Sequence, residues 1–332
     1  MSLRPGSMVL VCVASLCLLA GPLAAQDIGR NWLSAKVGQL KTEVGYDVDG
    51  LCQRNVEDQD AEFAMIRHSF HVFAPLWQNE KEEFAARVKI GAWDLDTDAR
   101  LSGPNVELPD ELWDLQFGAQ WRRKLDNGWI AGAGLEIGSP SDKPFDSCEE
   151  VTVNAMGSLR IPAGERDAWL LLVQYSNNRP FLQNVPIPGV AYQWIPDPKR
   201  LRAVIGVPFS SLYAEPIDRM YVRFRYMMIR RIHAEVGYRV LDPLTAYLSF
   251  DWDNDRFLRA DRSDSDDRLF YYEKRLTVGL RWRIMEGLSL DVFGGYAFDR
   301  LLFEGEKYDD RNQSRINISD GTICGLKARW RF

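Results

Sequence analysis

The 332-residue chain carries 47 acidic against 41 basic side chains, a formal charge of −6, which excludes nucleic acid as a partner. After the first 25 residues no run of about 18 apolar residues occurs, so a membrane-spanning helix is excluded there; transmembrane strands, whose signal is mere alternation, are not. Of five cysteines, three follow the first 25 residues, too few for a disulfide scaffold.

Residues 1–25 read as a secretory signal peptide: Arg4 gives the charged start, Met8 to Ala20 the apolar stretch, and "PLAAQD" the small-residue exit before Gln26. Leu16 is bulky where a lipidated Cys17 would need a small neighbour. The predicted mature unit is a single domain, 26–332. It retains Cys52 and Cys148, which lie in polar, turn-rich segments and could pair in an oxidising compartment. Cys324 reads as a small buried apolar residue.

From about residue 36 the pattern has a period of two. In "EVTVNAMGSLRI" Val151, Val153, Ala155, Gly157, Leu159 and Ile161 share one face, while Thr152, Asn154, Ser158 and Arg160 share the other. The same alternation runs over 40–48, 84–92, 115–121, 129–137, 169–175, 201–209, 244–252, 276–284 and 288–298. No helical stripe competes with it. Between 219 and 241 the residues from Val222 to Val240 hold one even phase broken only by Arg230. That predicts a single long strand, or one with a local bulge near Met228 to Arg231.

Connections alternate in length. Short turns such as "LDNGW", "AGERD", "IPDPKR" and "MEGL" take turns with polar stretches at about 49–61, 95–111, 139–150, 179–188, 255–268 and 303–320. Short turns on one side and long loops on the other predict an all-β fold, a transmembrane up-and-down antiparallel β-barrel of about 14 strands (range 12–16) in the bacterial outer membrane. Trp121, Trp129, Trp169, Trp194, Trp282 and Trp330 fall near the short-turn side, where an aromatic girdle belongs.

The run "GLKARWRF" resembles the carboxy-terminal signal of outer-membrane barrels through Leu326, Trp330 and Phe332. This resemblance implies recognition by the β-barrel assembly machinery. The runs "PGVAYQWIPDPKRLRAVIGVPFSSLYAEP", "FDWDNDRF", "DRLFYYEKRLTVGLRWRI" and "LSLDVFGGYAFDRLLFEG" resemble an uncharacterised family of outer-membrane barrels, the domain of unknown function numbered 6268. That resemblance implies a barrel and supplies no activity.

If the apolar face meets lipid, the other face lines a lumen. Arg87, Lys89, Arg122, Arg160, Arg202, Arg223, Arg225, Arg231, Arg239, Arg275, Arg281, Arg283, Lys327, Arg329 and Arg331 are expected to point inward. Glu43, Glu136, Glu235, Asp251, Asp253 and Asp291 join them, for a predominantly basic wall. Such a wall favours small anionic solutes, and the expected function is a passive pore or an envelope-structural protein in contact with outer-membrane lipid and lipopolysaccharide. Acidic loop residues such as Asp94, Asp96, Asp98, Glu107, Asp110 and Glu111 are oxygen donors suited to calcium or magnesium, but "DWDND" lacks the glycine and distant glutamate of an EF-hand loop. They read first as solvated charge.

Two other classes compete. An outer-membrane hydrolase would need a nucleophile beside His71 or His233, and no HExxH, GxSxG, paired CxxC or phosphate-cradling loop occurs. The expectation is no enzyme and no cofactor. A soluble secreted β-barrel or sandwich that binds a ligand would bury its apolar faces on one another, and alternating loop lengths speak against it.

Overall fold

The computed structural model describes residues 34–57, 59–101, 106–179, 181–228, 231–312 and 315–332; the expected signal peptide, residues 1–25, lies outside them. The first wall strands are β1 (Glu43–Asn55), β2 (Glu62–Gln78) and β3 (Glu82–Thr97), followed by a small loop hairpin of β4 (Arg100–Leu101) and β5 (Val106–Glu107). The wall continues with β6 (Glu111–Lys124), β7 (Ile130–Ser141), β8 (Thr152–Pro162), β9 (Ala168–Ser176), β10 (Ile187–Asp197), β11 (Leu201–Val207) and β12 (Phe209–Ile217). It ends with β13 (Met220–Met227), β14 (Arg231–Leu241), β15 (Leu244–Phe257), β16 (Arg268–Met285), β17 (Leu288–Gly305), β18 (Arg315–Ile318) and β19 (Gly321–Arg331).

Each wall strand pairs antiparallel with the next, and β19 returns to pair with β1 from Trp330↔Val44 to Ile323↔Leu51. Thr42 and Phe332 exchange two backbone hydrogen bonds of 3.0 Å at the seam. Because β18 only prolongs β19 beside β17, the described residues form a closed barrel of 16 strands.

Alternation explains the wall. Phe117, Leu135, Val173, Ile205, Leu248, Val278 and Val292 are exposed on the outside, whereas their sequence neighbours turn into a polar interior. A soluble barrel could not leave so continuous an apolar belt in water. The soluble secreted alternative is therefore corrected: the apolar faces look outward rather than packing on each other. Trp121, Trp169, Trp194, Trp282 and Trp330 sit at the short-turn ends of their strands, on the outer face by register.

The count of 16 corrects the expected 14, and both extra strands have a physical origin. Met227 pairs with Arg231, so the hairpin between β13 and β14 returns with even residues opposite even ones. A phase that survives the turn cannot distinguish one strand from two. Likewise Val204 pairs with Ser211, which makes β12 a separate strand after Pro208, with Phe209 on the inside rather than continuing the outer face of β11. Both outer turns are short, so the long-and-short rule fails on this arc. The wall is also low there: the 7 residues of β11 reach about 24 Å along the strand, while the 18 residues of β16 reach about 60 Å.

Two glycines let side chains cross the inner wall closely. A Cβ on Gly237 would lie 2.3 Å from the Tyr221 ring, and one on Gly279 would lie 2.5 Å from the Tyr247 ring. Each tyrosine lies over the glycine facing it in register. Gly237→Ala or Gly279→Ala is expected to destabilise the barrel by about 1–3 kcal/mol through overpacking. Urea titration of refolding into lipid vesicles measures this, and unchanged midpoints would show that the rings move aside freely.

Candidate functional site: the barrel lumen

The interior is asymmetric. On the arc from β15 through β19 to β2, inward side chains meet one another across the lumen. Arg67 of β2 donates to Glu273 of β16 at 2.5 Å and to Asp49 of β1 at 2.5 Å. Three wall strands separate β2 from β16, so this contact cuts across a corner of the barrel. Arg275 binds Asp253 at 2.5 Å, and Arg231 closes on the other oxygen of Asp253. Above this network Phe63, Met65, Trp93, Leu101, Phe257, Tyr271, Leu302 and Ile316 form a buried apolar core inside the barrel, to which the β4–β5 hairpin contributes Leu101.

The outer mouth is bridged. Leu258, just past β15, donates its N–H to Pro140 O at 2.7 Å and makes a parallel bridge with Ser141 of β7. Seven strands separate β15 from β7 in either direction, so the segment spans the whole mouth. Arg262 anchors it on the far side, donating to Glu150 at 3.0 Å and to Glu149 O at 3.0 Å. Arg259 holds the near side through Glu304 at 2.9 Å. Glu150 lies in the loop between β7 and β8. Burial pushes its carboxyl up, but hydrogen bonds from Ser147 and Arg262 outweigh that and hold it below the usual carboxylate value.

At the opposite end, residues 34–41 run beneath β2 and β3 as a strap. Arg122 donates to the carbonyls of Ser34 at 3.0 Å and Lys36 at 2.7 Å, and also binds Glu83. Glu83 accepts the Gly38 N–H at 2.6 Å, and Gln78 binds both backbone groups of Leu40. Leu40 is consequently tucked in rather than facing lipid as the strand pattern predicts.

The remaining arc, from β3 to β14, keeps part of its inward face accessible, although Arg122, Arg160, Gln193 and Glu235 are buried. Arg87 lies 3.7 Å from Glu136 with both side chains partly exposed, and Lys89 pairs with Asp114. Gln116, Asn154, Ser158 and Gln174 share this half-exposed face. Since the wall is closed, their accessible surface belongs to an internal, off-centre space.

A closed antiparallel wall, an apolar outer belt, an aromatic girdle and a charged interior together have one explanation. The chain is an outer-membrane β-barrel.

No protein family matches the chain, and no curated protein is recognisably related to it. Among solved structures it resembles an outer-membrane channel of Pseudomonas putida F1, with 10% identity over 93% of this chain and 100% of that one and a TM-score of 0.38. A Pseudomonas aeruginosa FadL homologue has 12% identity over 94% and 99%, with a TM-score of 0.37. Pseudomonas putida OprB has 8% identity over 91% and 96%, with a TM-score of 0.34. Similarity this distant says nothing about cargo; the membrane placement stands on the wall itself.

Register places all the expected lumen residues, the fifteen cations from Arg87 to Arg331 and the six carboxylates Glu43, Glu136, Glu235, Asp251, Asp253 and Asp291, on the inner face. It also brings in carboxylates that the sequence reading left out: Asp47, Asp49, Glu83, Asp114 and Glu273. Arg329 binds Asp47 at 2.7 Å, Arg331 lies 3.2 Å from Glu43, and Arg281 bridges Asp291 at 2.9 Å and Glu235 at 3.2 Å. Arg160 instead meets the amide of Gln193 at 3.2 Å, and Arg283 the carbonyl of Asp242 at 2.8 Å. The predominantly basic wall is thus corrected to a largely neutralised one, because opposite charges sit on neighbouring strands where no sequence spacing reveals them.

Other expectations shift similarly. Cys52, Cys148 and Cys324 are free, exposed thiols; Cys52 is on β1, with β2, β3, β6 and β7 standing between it and the loop of Cys148, so the proposed pair is not formed. Cys324 is on the outer face, not buried. Asp251 and Asp253 of "DWDND" lie on the lumen face of β15, as expected, so this run is wall and not loop. Among the described residues no group of three His, Cys, Asp or Glu converges as a metal site. His68 faces outward against Tyr46 at 2.8 Å. His233 Nδ1 lies 2.7 Å from Asp251, but its Nε2 faces Glu235 at 3.8 Å. Ser249 reaches the carboxylate at 3.4 Å rather than the far nitrogen, the wrong order for a nucleophile relay.

Proposed function

We propose that the barrel is a narrow passive channel for small anionic solutes, with its path along the β3–β14 arc. One observation carries this reading. In that arc each inward carboxylate among Glu136, Asp114 and Glu235 is answered by a cation and Glu215 by the Tyr213 hydroxyl, whereas Arg202 and Arg239 have no acidic partner among the described residues. Uncommitted guanidinium groups beside water favour anions. The girdle residues Trp330 and Phe332, stacked with ring centres 4.1 Å apart, fit engagement by the assembly machinery, and the resemblance to an uncharacterised barrel family brings no competing activity. The reading includes no catalytic role.

Reversal potentials in planar bilayers under a salt gradient test it: anion preference is expected, and cation preference refutes it. The bridged mouth favours a second reading, a closed envelope-structural barrel, which complete absence of conductance would select.

A further inference from the structure

Near the strap end of the open arc, arginines and tyrosines stack along the inner wall. Arg202 of β11 faces Tyr213 of β12 in register, and its guanidinium carbon lies 4.5 Å from the centre of that ring. Tyr213 in turn stacks on Tyr221 of β13, with centroids 6.3 Å apart and planes 17° from parallel. Arg223 sits 5.2 Å from the Tyr221 ring.

The four groups differ in what they have left to offer. Arg223 is committed to Glu235 at 3.1 Å. Tyr221 donates to the same carboxylate at 2.7 Å, and Tyr213 donates to Glu215, so both hydroxyls are occupied, while both side chains stay partly exposed. Arg202 is exposed to the lumen, and among the described residues its only partner is the Tyr213 ring. A guanidinium over a ring presents its N–H fork sideways, in the geometry that takes a carboxylate by two parallel hydrogen bonds. An inorganic anion would answer the arginine alone, and a neutral aromatic only the rings.

We propose that Arg202, Tyr213 and Tyr221 form a binding site for aromatic monocarboxylates on the path through the barrel. The carboxylate of such a ligand bridges the free N–H groups of Arg202, and its ring lies against the part of the tyrosine rings that stays exposed. Glu215, held at the Tyr213 hydroxyl, disfavours a second negative charge, which restricts the class to monoanions. This inference rests on the channel reading and names its cargo.

Benzoate is the probe. Added to purified barrel conducting chloride in a planar bilayer, it should block the current in a concentration-dependent way. Cyclohexanecarboxylate, with the same charge and no aromatic face, should block about five- to tenfold more weakly, the scale of one stacking contact. Arg202→Gln should raise the half-blocking benzoate concentration at least about tenfold, as loss of a charged hydrogen-bonding partner does. Tyr213→Leu should erase the difference between the two acids, and Arg239→Gln, which removes a lumen charge that stacks on no ring among the described residues, should leave it intact. Equal block by both acids, or block unchanged by Arg202→Gln, overturns the site. A barrel that passes no chloride refutes the channel reading instead; calorimetric titration of the detergent-solubilised protein with benzoate then decides the site, with no Arg202-dependent heat counting against it.

Discussion

Arg67→Met is expected to destabilise the barrel by about 3–5 kcal/mol, the cost of leaving a buried carboxylate without its cation. Glu273 is the carboxylate concerned: its side chain is 0% exposed, and it also accepts the Tyr271 hydroxyl at 2.8 Å. Arg67 further packs between Trp93 and Tyr271, its guanidinium carbon 5.4 and 5.8 Å from their ring centres, so no water stands ready to replace it. Arg275 approaches Glu273 at 3.4 Å but already serves Asp253. The pair Arg67→Met with Glu273→Gln should recover more than half of the loss, because the fully buried carboxylate is then neutral and Asp49 keeps Arg275 at 3.9 Å. Arg87→Met provides the contrast. Its bridge to Glu136 is 3.7 Å long with side chains 30% and 19% exposed, and its removal should cost no more than about 1 kcal/mol. Urea titrations of refolding into vesicles measure all three. Equal costs for Arg67→Met and Arg87→Met would mean that water fills both halves of the lumen alike, and the division into a packed and an open arc would fall.

That division marks where sequence stops being sufficient. Period two specifies which residues face outward, since a slip of one residue would bury every charge in lipid; Leu276, Val278, Leu280 and Trp282 on β16 carry that information unaided. Strand number is less secure, because β13 and β14 share one phase through their turn and β12, "FSSLYAEPI", is too polar to announce a face. Ion pairing across the lumen is invisible in one dimension: Arg67 and Glu273 are neighbours only because the barrel closes, 206 residues apart. The same holds for the Tyr213–Tyr221 stack, although "SSLYAEPIDRMYVRFRY" did offer a legible hint, two tyrosines at inward positions on strands joined by a tight turn.

Arg262→Ala is expected to open the outer mouth and raise single-channel conductance. The bridge from β15 to β7 has few attachments, and Arg262 makes two of them at once, to Glu150 and to Glu149 O, while bracing the segment itself through Arg259 O at 2.6 Å. Loss of one partner from a buried pair costs about 3 kcal/mol, enough to shift the balance between seated and lifted bridge about a hundredfold. Acid should imitate the substitution. The Glu150 carboxyl titrates below its ordinary value of 4.5 in the folded loop, so its contribution is fully present above that value and is lost as pH falls through the lower, folded one. Conductance of the native barrel should therefore rise on strong acidification. In Arg262→Ala the guanidinium that the ionised Glu150 binds is already absent, so the acid-driven rise should be much smaller. An increase of the same size in both proteins would place the acid response elsewhere, most directly in the neighbouring Arg259–Glu304 contact, and would leave Arg262 as a fastening of the loop without control over the mouth.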